Sequence, residues 1–194
     1  EDGPASHMSK KGTPTMGGLV IILATVVGYF LAKILTGTTP SGSALLLLFL
    51  FVGMGFVGFL DDFIKIVKQR SLGLRSKAKM IGQTVVAVVF GALAISPALA
   101  DENGRTPAST SISFLRDIPA LALPSLVIIL FIWGIVAGFS NGVNLTDGLD
   151  GLATGASMMV FGAYTLVNIW QRNQFCQGEF PGANCYDVRD PLDL

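Results

Sequence analysis

Two aspartates, Asp61 and Asp62, stand side by side at the end of a long apolar run that is otherwise free of charge, with Lys65 one helical turn beyond Asp61. An ionisable group at membrane depth costs about 2.5 to 3.5 kcal/mol even on the lenient insertion scale, so such groups are functional suspects. Carboxylates at a helix C-terminus also oppose the macrodipole, which prefers cations there. Adjacent carboxylates can coordinate Mg²⁺ or another hard cation, or one can act as general base while a cation orients the other. The plainer alternative is a helix end at the interface, with Asp61 and Lys65 as an i,i+4 surface pair worth roughly 0.3 kcal/mol.

A second cluster runs from Asn144 through Leu145, Thr146, Asp147, Gly148, Leu149 and Asp150 to Gly151. Asn144, Asp147 and Asp150 recur every three residues, so a helical path would put them on one face, and the glycines let a ligand approach the backbone. Carboxylates and an amide suit hydroxyl-rich or base-edge recognition; they repel a phosphate unless a divalent metal intervenes. An inter-helix loop capped by Thr146 or Asp147 is the structural alternative. Cations complement the acids. Lys65 and Lys79 are placed to hold phosphates, whereas Lys68, Arg70, Arg75 and Lys77 read as topology signals and attraction to anionic lipid heads. His7, the sole histidine, reads as solvated.

The elements that must position these groups are membrane helices. Charged residues make up 13% of the 194 residues and hydrophobic ones 51%. Soluble domains carry about 25% charged residues, so this composition, delivered in long apolar runs, predicts an all-α integral membrane protein. A helix crosses a bilayer in about 20 residues, and the chain offers about five such runs, near 19–35, 44–66, 80–99, 121–139 and 152–170. The expected fold is a polytopic helical bundle forming one membrane domain over 1–194. Gly12 to Gly18, with Pro14, read as a non-helical approach to the first span, and Lys33 as a snorkelling cation late in it. Ser109 to Phe114 reads as a small extended ribbon. Cys176 and Cys185 are too few for a disulfide scaffold, and their pairing is left open.

No cleavable signal is visible, and a chain that opens on Glu1 and stops at Leu194 in a polar loop reads as a piece of a longer one. The zero net charge leaves partners undetermined, but its distribution does not. Lys65, Lys68, Arg70, Arg75, Lys77 and Lys79 orient the loop after the second span to the cytoplasm. Counting spans brings the N-terminal segment and the Asn144–Asp150 stretch to the same face, and puts the cysteine tail outside.

Lys10 with Gly12-Thr13-Pro14-Thr15-Met16-Gly17-Gly18, Asp61-Asp62 with Lys65, and Asn144 to Ala153 together resemble the bacterial phospho-N-acetylmuramoyl-pentapeptide transferases (translocase I), a family of polyprenyl-phosphate sugar-1-phosphate transferases. The resemblance implies transfer from UDP-N-acetylmuramoyl-pentapeptide to undecaprenyl phosphate, giving lipid I and UMP, with Mg²⁺, on the cytoplasmic face of the inner membrane. It implies that Asp61 is a base or metal-adjacent carboxylate and Asp62 its essential neighbour. Lys10, Thr15 and Lys79 would line the nucleotide-sugar and phosphate cleft, alongside Lys65, which its own position makes a phosphate-binding candidate. Asn144 and Asp147 would be cleft residues, and Leu149 with Asp150 part of a uridine pocket. The main metal ligand and a histidine-rich loop are expected beyond Leu194, so these 194 residues alone are expected to be inactive. Membrane lipids and a second copy of the chain complete the expected partners; nucleic acid is not among them. The alternatives are a sister polyprenyl-phosphate N-acetylhexosamine-1-phosphate transferase, an ion-coupled transporter and a structural anchor.

Overall fold

The computed structural model describes residues 16–69, 73–101, 103–113, 117–146, 151–176, 183, 185–186 and 189. Five helices in this set are long and apolar enough to cross a membrane: α1 (Gly17–Thr36), α2 (Gly42–Val67), α3 (Ser76–Ala94), α4 (Ser125–Thr146) and α5 (Leu152–Gln174). The chain is an integral membrane protein. A short ribbon, β1 (Ser111–Ser113) against β2 (Asp117–Ala122), fills the α3–α4 connection, with Ile112 opposite Ile118 and an irregularity between Ser111 and Ile112.

Local chemistry sets the helix ends. Gly37, at φ 65°, ends α1 in the left-handed turn that a glycine adopts without steric cost, and its N–H donates to Ile34 O at 3.2 Å. Ser41 Oγ accepts the Ala44 N–H at 3.1 Å and caps α2. The third span ends at Ala94 rather than near Leu99. Pro97 disfavours helical backbone in the residue before it, and Ser96 is extended there, opening the 3-10 turn Pro97–Leu99. The fourth helix starts later than expected because residues up to Ala122 belong to β2; the Pro124 carbonyl then accepts Val127 N–H at 2.9 Å. It also runs further, to Thr146, so Ser140 to Thr146 are helix and not loop. At the first span, Gly17 and Gly18 already lie in α1, whose N-cap Met16 takes the left-handed turn at φ 67°.

Neighbouring helices run antiparallel and meet through small residues, as helices in lipid do. A methyl at Gly53 would lie 2.9 Å from Val86 Cγ1, and one at Gly82 3.1 Å from Val57 Cγ2, so α2 and α3 touch backbone to side chain. Ala44, Ala87, Ala94 and Ala137 are among the few buried apolar residues. Large side chains such as Val20, Leu47, Ile81, Leu130 and Phe161 face outward, the pattern expected where the surrounding medium is hydrocarbon. Lys33 does not reach for water: it is 8% exposed, with Nζ 5.6 Å from the Tyr29 ring centroid.

The alternation groups the start of α1, the end of α2, the start of α3 and the end of α4 at one end of the bundle. The ribbon and the polar tail lie at the other, where Arg189 Nη2 donates to Leu99 O at 2.6 Å. Cys176 and Cys185 form a disulfide in that tail.

Candidate functional site

Asp61 and Asp62 occupy the last turns of α2, where Lys65 reaches back to both: Nζ lies 2.7 Å from Asp61 Oδ2 and 3.0 Å from Asp62 Oδ1. The i,i+3 and i,i+4 spacings make this bridge on a helix almost unavoidable. The two carboxylates then diverge. Asp61 turns toward α3; its side chain is 17% exposed, and its Oδ1 accepts the Leu74 N–H at 2.7 Å. Lys79, half-buried in the first turn of α3, is close enough for its charge to act on Asp61. Asp62, at 45% exposure, turns toward α1. It lines a cavity of about 220 Å³ with Met16, Gly18, Leu19, Ile22, Gly55, Gly58 and Phe59. Gly55 lets α1 and α2 approach closely beside this cavity, where a Cβ would meet Ile22 Cδ1.

Among the described residues Lys65 is the one polar partner of Asp62, whereas both oxygens of Asp61 are engaged. The arrangement therefore offers one pinned carboxylate and one that opens onto a cleft, with Lys65 shared between them and Lys79 opposite. Lys68, Arg75 and Lys77 are exposed. Asn144 sits in the last turn of α4, exposed at the same end of the bundle. Lys10, Thr15, Asp147, Leu149 and Asp150 lie outside the described residues. No cluster of three or more His, Cys, Asp or Glu stands among the described residues.

A polar bridge in the bundle interior escaped sequence reasoning. Gln83, 1% exposed, donates Nε2–H to Ser140 Oγ at 3.0 Å and accepts Asn141 Nδ2–H on Oε1 at 3.1 Å; Asn141 also donates to Ala137 O at 2.8 Å. Trp133 Nε1, about two turns before Ser140 on α4, donates to Thr84 Oγ1 at 3.0 Å. These bonds fix the start of α3, with Lys79, against the end of α4, with Asn144. The available signal was a lone glutamine inside an apolar span, four residues after Lys79.

Residues 44–179 match the model of glycosyl transferase family 4. The chain belongs to this family. The match covers α2 through α5, and with them the Asp61–Asp62 pair and the Gln83 bridge. Residues 10–22 of this family-4 chain match the phospho-N-acetylmuramoyl-pentapeptide-transferase signature 1, whose described part, from Met16 to Ile22, forms the α1 wall of the cavity that Asp62 lines. Proteins named phospho-N-acetylmuramoyl-pentapeptide-transferase are similar over the whole chain: one from a Nocardioides species at 69% identity, one from Streptomyces avermitilis at 57% and one from Cutibacterium acnes at 56%. The alignments cover 100% of this chain and 54% of each relative, so the chain spans about half the length of the curated relatives it matches.

Proposed function

We propose that the full-length protein containing these residues transfers phospho-N-acetylmuramoyl-pentapeptide from its UDP derivative to undecaprenyl phosphate, releasing UMP and forming lipid I for peptidoglycan synthesis. The observation that carries this reading is the meeting of the signature segment with Asp62 at one cavity. The basic residues from Lys65 to Lys79 support a cytoplasmic position for that end of the bundle, in the inner membrane.

In this reaction an oxygen of the lipid phosphate attacks the sugar-bearing phosphorus. A new P–O bond forms, the P–O bond to the uridylyl phosphate breaks, and UMP leaves with that electron pair. Such transfers depend on placement and charge neutralisation more than on covalent work by the protein. The Asp61–Asp62 pair takes up any proton on the lipid phosphate, with Asp62 as the carboxylate facing the cleft. Lys79 offers a cation to the diphosphate, and Lys65 holds both carboxylates in register. Lys10 and Thr15, on the signature segment, Asn144, in the last turn of α4, and Asp147, Leu149 and Asp150, beyond it in sequence, are the proposed contacts to the nucleotide and sugar.

The donor set suits Mg²⁺, which takes one or two carboxylates plus substrate phosphates and keeps several waters. Asp62 and Asp61 are the residues here that would hold it; when bound it neutralises charge on the diphosphate. The 194 residues alone are not expected to turn over, since the relatives are about twice as long.

The test is UMP release by the purified full-length protein with undecaprenyl phosphate and Mg²⁺. Release with UDP-N-acetylmuramoyl-pentapeptide and not with UDP-N-acetylglucosamine is expected. The reverse preference overturns the substrate assignment, and no release with either overturns the transfer reading.

A further inference from the structure

Gly73 lies where the chain turns back from α2 toward α3, and it is required there for space rather than for conformation, since its φ is outside the left-handed range. A Cβ at this position would stand 2.7 Å from Asp61 Cγ and 2.7 Å from the Asp61 carbonyl oxygen, and nearer still to Oδ1. Neither obstacle can yield cheaply. The carbonyl belongs to the backbone of α2, and the carboxylate is held from two sides, by Lys65 on Oδ2 and by the Leu74 N–H on Oδ1, each at 2.7 Å. The residue that must lack a side chain and the residue that donates the hydrogen bond are consecutive, so one close approach of the α2–α3 loop produces both contacts.

We propose that Gly73 is a positioning residue for Asp61. Its bare Cα lets the loop close on the carboxylate, and the Leu74 N–H then fixes the Asp61 side chain opposite Lys65. Without that donor Asp61 has only its own helix to orient it, and a rotation about χ1 would carry it away from the Lys79 side and break the division of labour with Asp62. The consequence for turnover rests on the transfer reading above; the contact itself rests on geometry alone.

The experiment uses the full-length protein in lipid nanodiscs, as wild type, Gly73→Ala and Gly28→Ala. Position 28 is the control, because a methyl there meets nothing within 4 Å. Two quantities are read: the exchange rate of the Leu74 amide hydrogen, and kcat and KM for UMP release. For Gly73→Ala the expectation is a kcat about tenfold lower, equivalent to about 1.36 kcal/mol, with KM changed less than about twofold. The Leu74 amide should exchange about tenfold faster or more, because local opening no longer has to break the bond to Asp61. Gly28→Ala should match wild type in both. A purely structural role predicts a lower melting temperature with wild-type kcat per folded molecule, and that result overturns the proposal. So does an unchanged Leu74 exchange rate in Gly73→Ala. If Gly73→Ala does not fold, Asp61→Ala is read by exchange instead: faster exchange at Leu74 supports the contact and an unchanged rate refutes it. Should wild type release no UMP, the transfer reading fails, while the exchange rates still decide whether Gly73 brings the loop onto Asp61.

Discussion

Replacing Gln83 with leucine removes the polar bridge between α3 and α4 while keeping nearly the same volume. Two interhelical hydrogen bonds are lost, to Ser140 at 3.0 Å and from Asn141 at 3.1 Å. Such bonds in membrane bundles average about 0.6 kcal/mol and reach about 1.7, because the separated helices also find partners. The orphaned groups are not stranded. Asn141 Nδ2 keeps its bond to Ala137 O at 2.8 Å, and the Ser140 hydroxyl can turn back to a carbonyl one turn earlier in α4. The expected loss is therefore about 1 to 2 kcal/mol for Gln83→Leu. Gln83→Ala, which also opens a cavity at a site 1% exposed, should lose more, about 2 to 4 kcal/mol. Reversible unfolding of the purified full-length protein in mixed micelles measures both. A double-mutant cycle with Asn141→Ala isolates the shared bond, with an expected coupling of about 0.6 to 1.7 kcal/mol. Zero coupling would refute the bridge. A loss above about 4 kcal/mol for Gln83→Leu would show that the partners cannot re-pair and that the reasoning on their alternatives is wrong.

Lys65→Met leaves Asp61 and Asp62 adjacent with no shared cation, so kcat for UMP release should fall about 10²-fold, while Lys65→Arg keeps the charge and loses less; equal activity of Met and Arg variants would contradict the shared-cation geometry. At the other end of the bundle, burial works to raise the Asp101 carboxyl, but it is outweighed by hydrogen bonds from the Arg105 N–H and guanidinium, the Arg105 charge and the Asn103 N–H, so its pKa lies below the ordinary 3.8. A lowered folded-state value stabilises the loop above pH 3.8, and that contribution is lost as the pH falls through the folded pKa. The protection of the Arg105 amide, taken as its exchange relative to the intrinsic rate at each pH from pH 6 downward, should fall below about pH 3.8 in wild type and show no such step in Asp101→Asn; a step above that value would reverse the sign of the argument.

The spans were legible because runs of apolar residues of bilayer length have few other uses. Their ends were less so, and each error has a physical cause. Ser140 to Thr146 look like loop because serine, asparagine and glycine cluster there, yet they are helical because Gln83 on a different helix satisfies Ser140 and Asn141. The ribbon's second strand, Asp117–Ala122, gave no alternating pattern and contains Pro119, which a two-stranded sheet tolerates because both its strands are edges. In the site, the Asp61–Lys65 bond follows from i,i+4 spacing. The bond from Leu74 to Asp61 spans 13 positions and depends on how the loop closes, which no local pattern encodes. Gly73 gave no signal either, because it serves neither as a cap nor as a left-handed turn.

The sequence pairs Asp61 with Lys65 at i,i+4 but does not say which way either carboxylate faces, and helix geometry separates them. Neighbouring residues on a helix point about 100° apart, so two adjacent carboxylates at a helix end leave the backbone in different directions. Here one faces α3 and the other α1. The first is fixed by a lysine and a backbone amide, as suits a group whose charge must stay in place; the second has only the shared lysine and opens onto the signature segment, as suits a group that exchanges partners when substrate arrives. Lys65 couples them, since a cation or proton that changes the charge on Asp62 alters what Lys65 gives to Asp61. Asp62→Asn should accordingly remove the cleft-facing proton acceptor and weaken binding at the cleft as well, whereas Asp61→Asn should act through Lys65 and the Leu74 contact. Two variants with the same nominal charge change are thus expected to differ, Asp62→Asn changing both kcat and KM and Asp61→Asn mainly kcat.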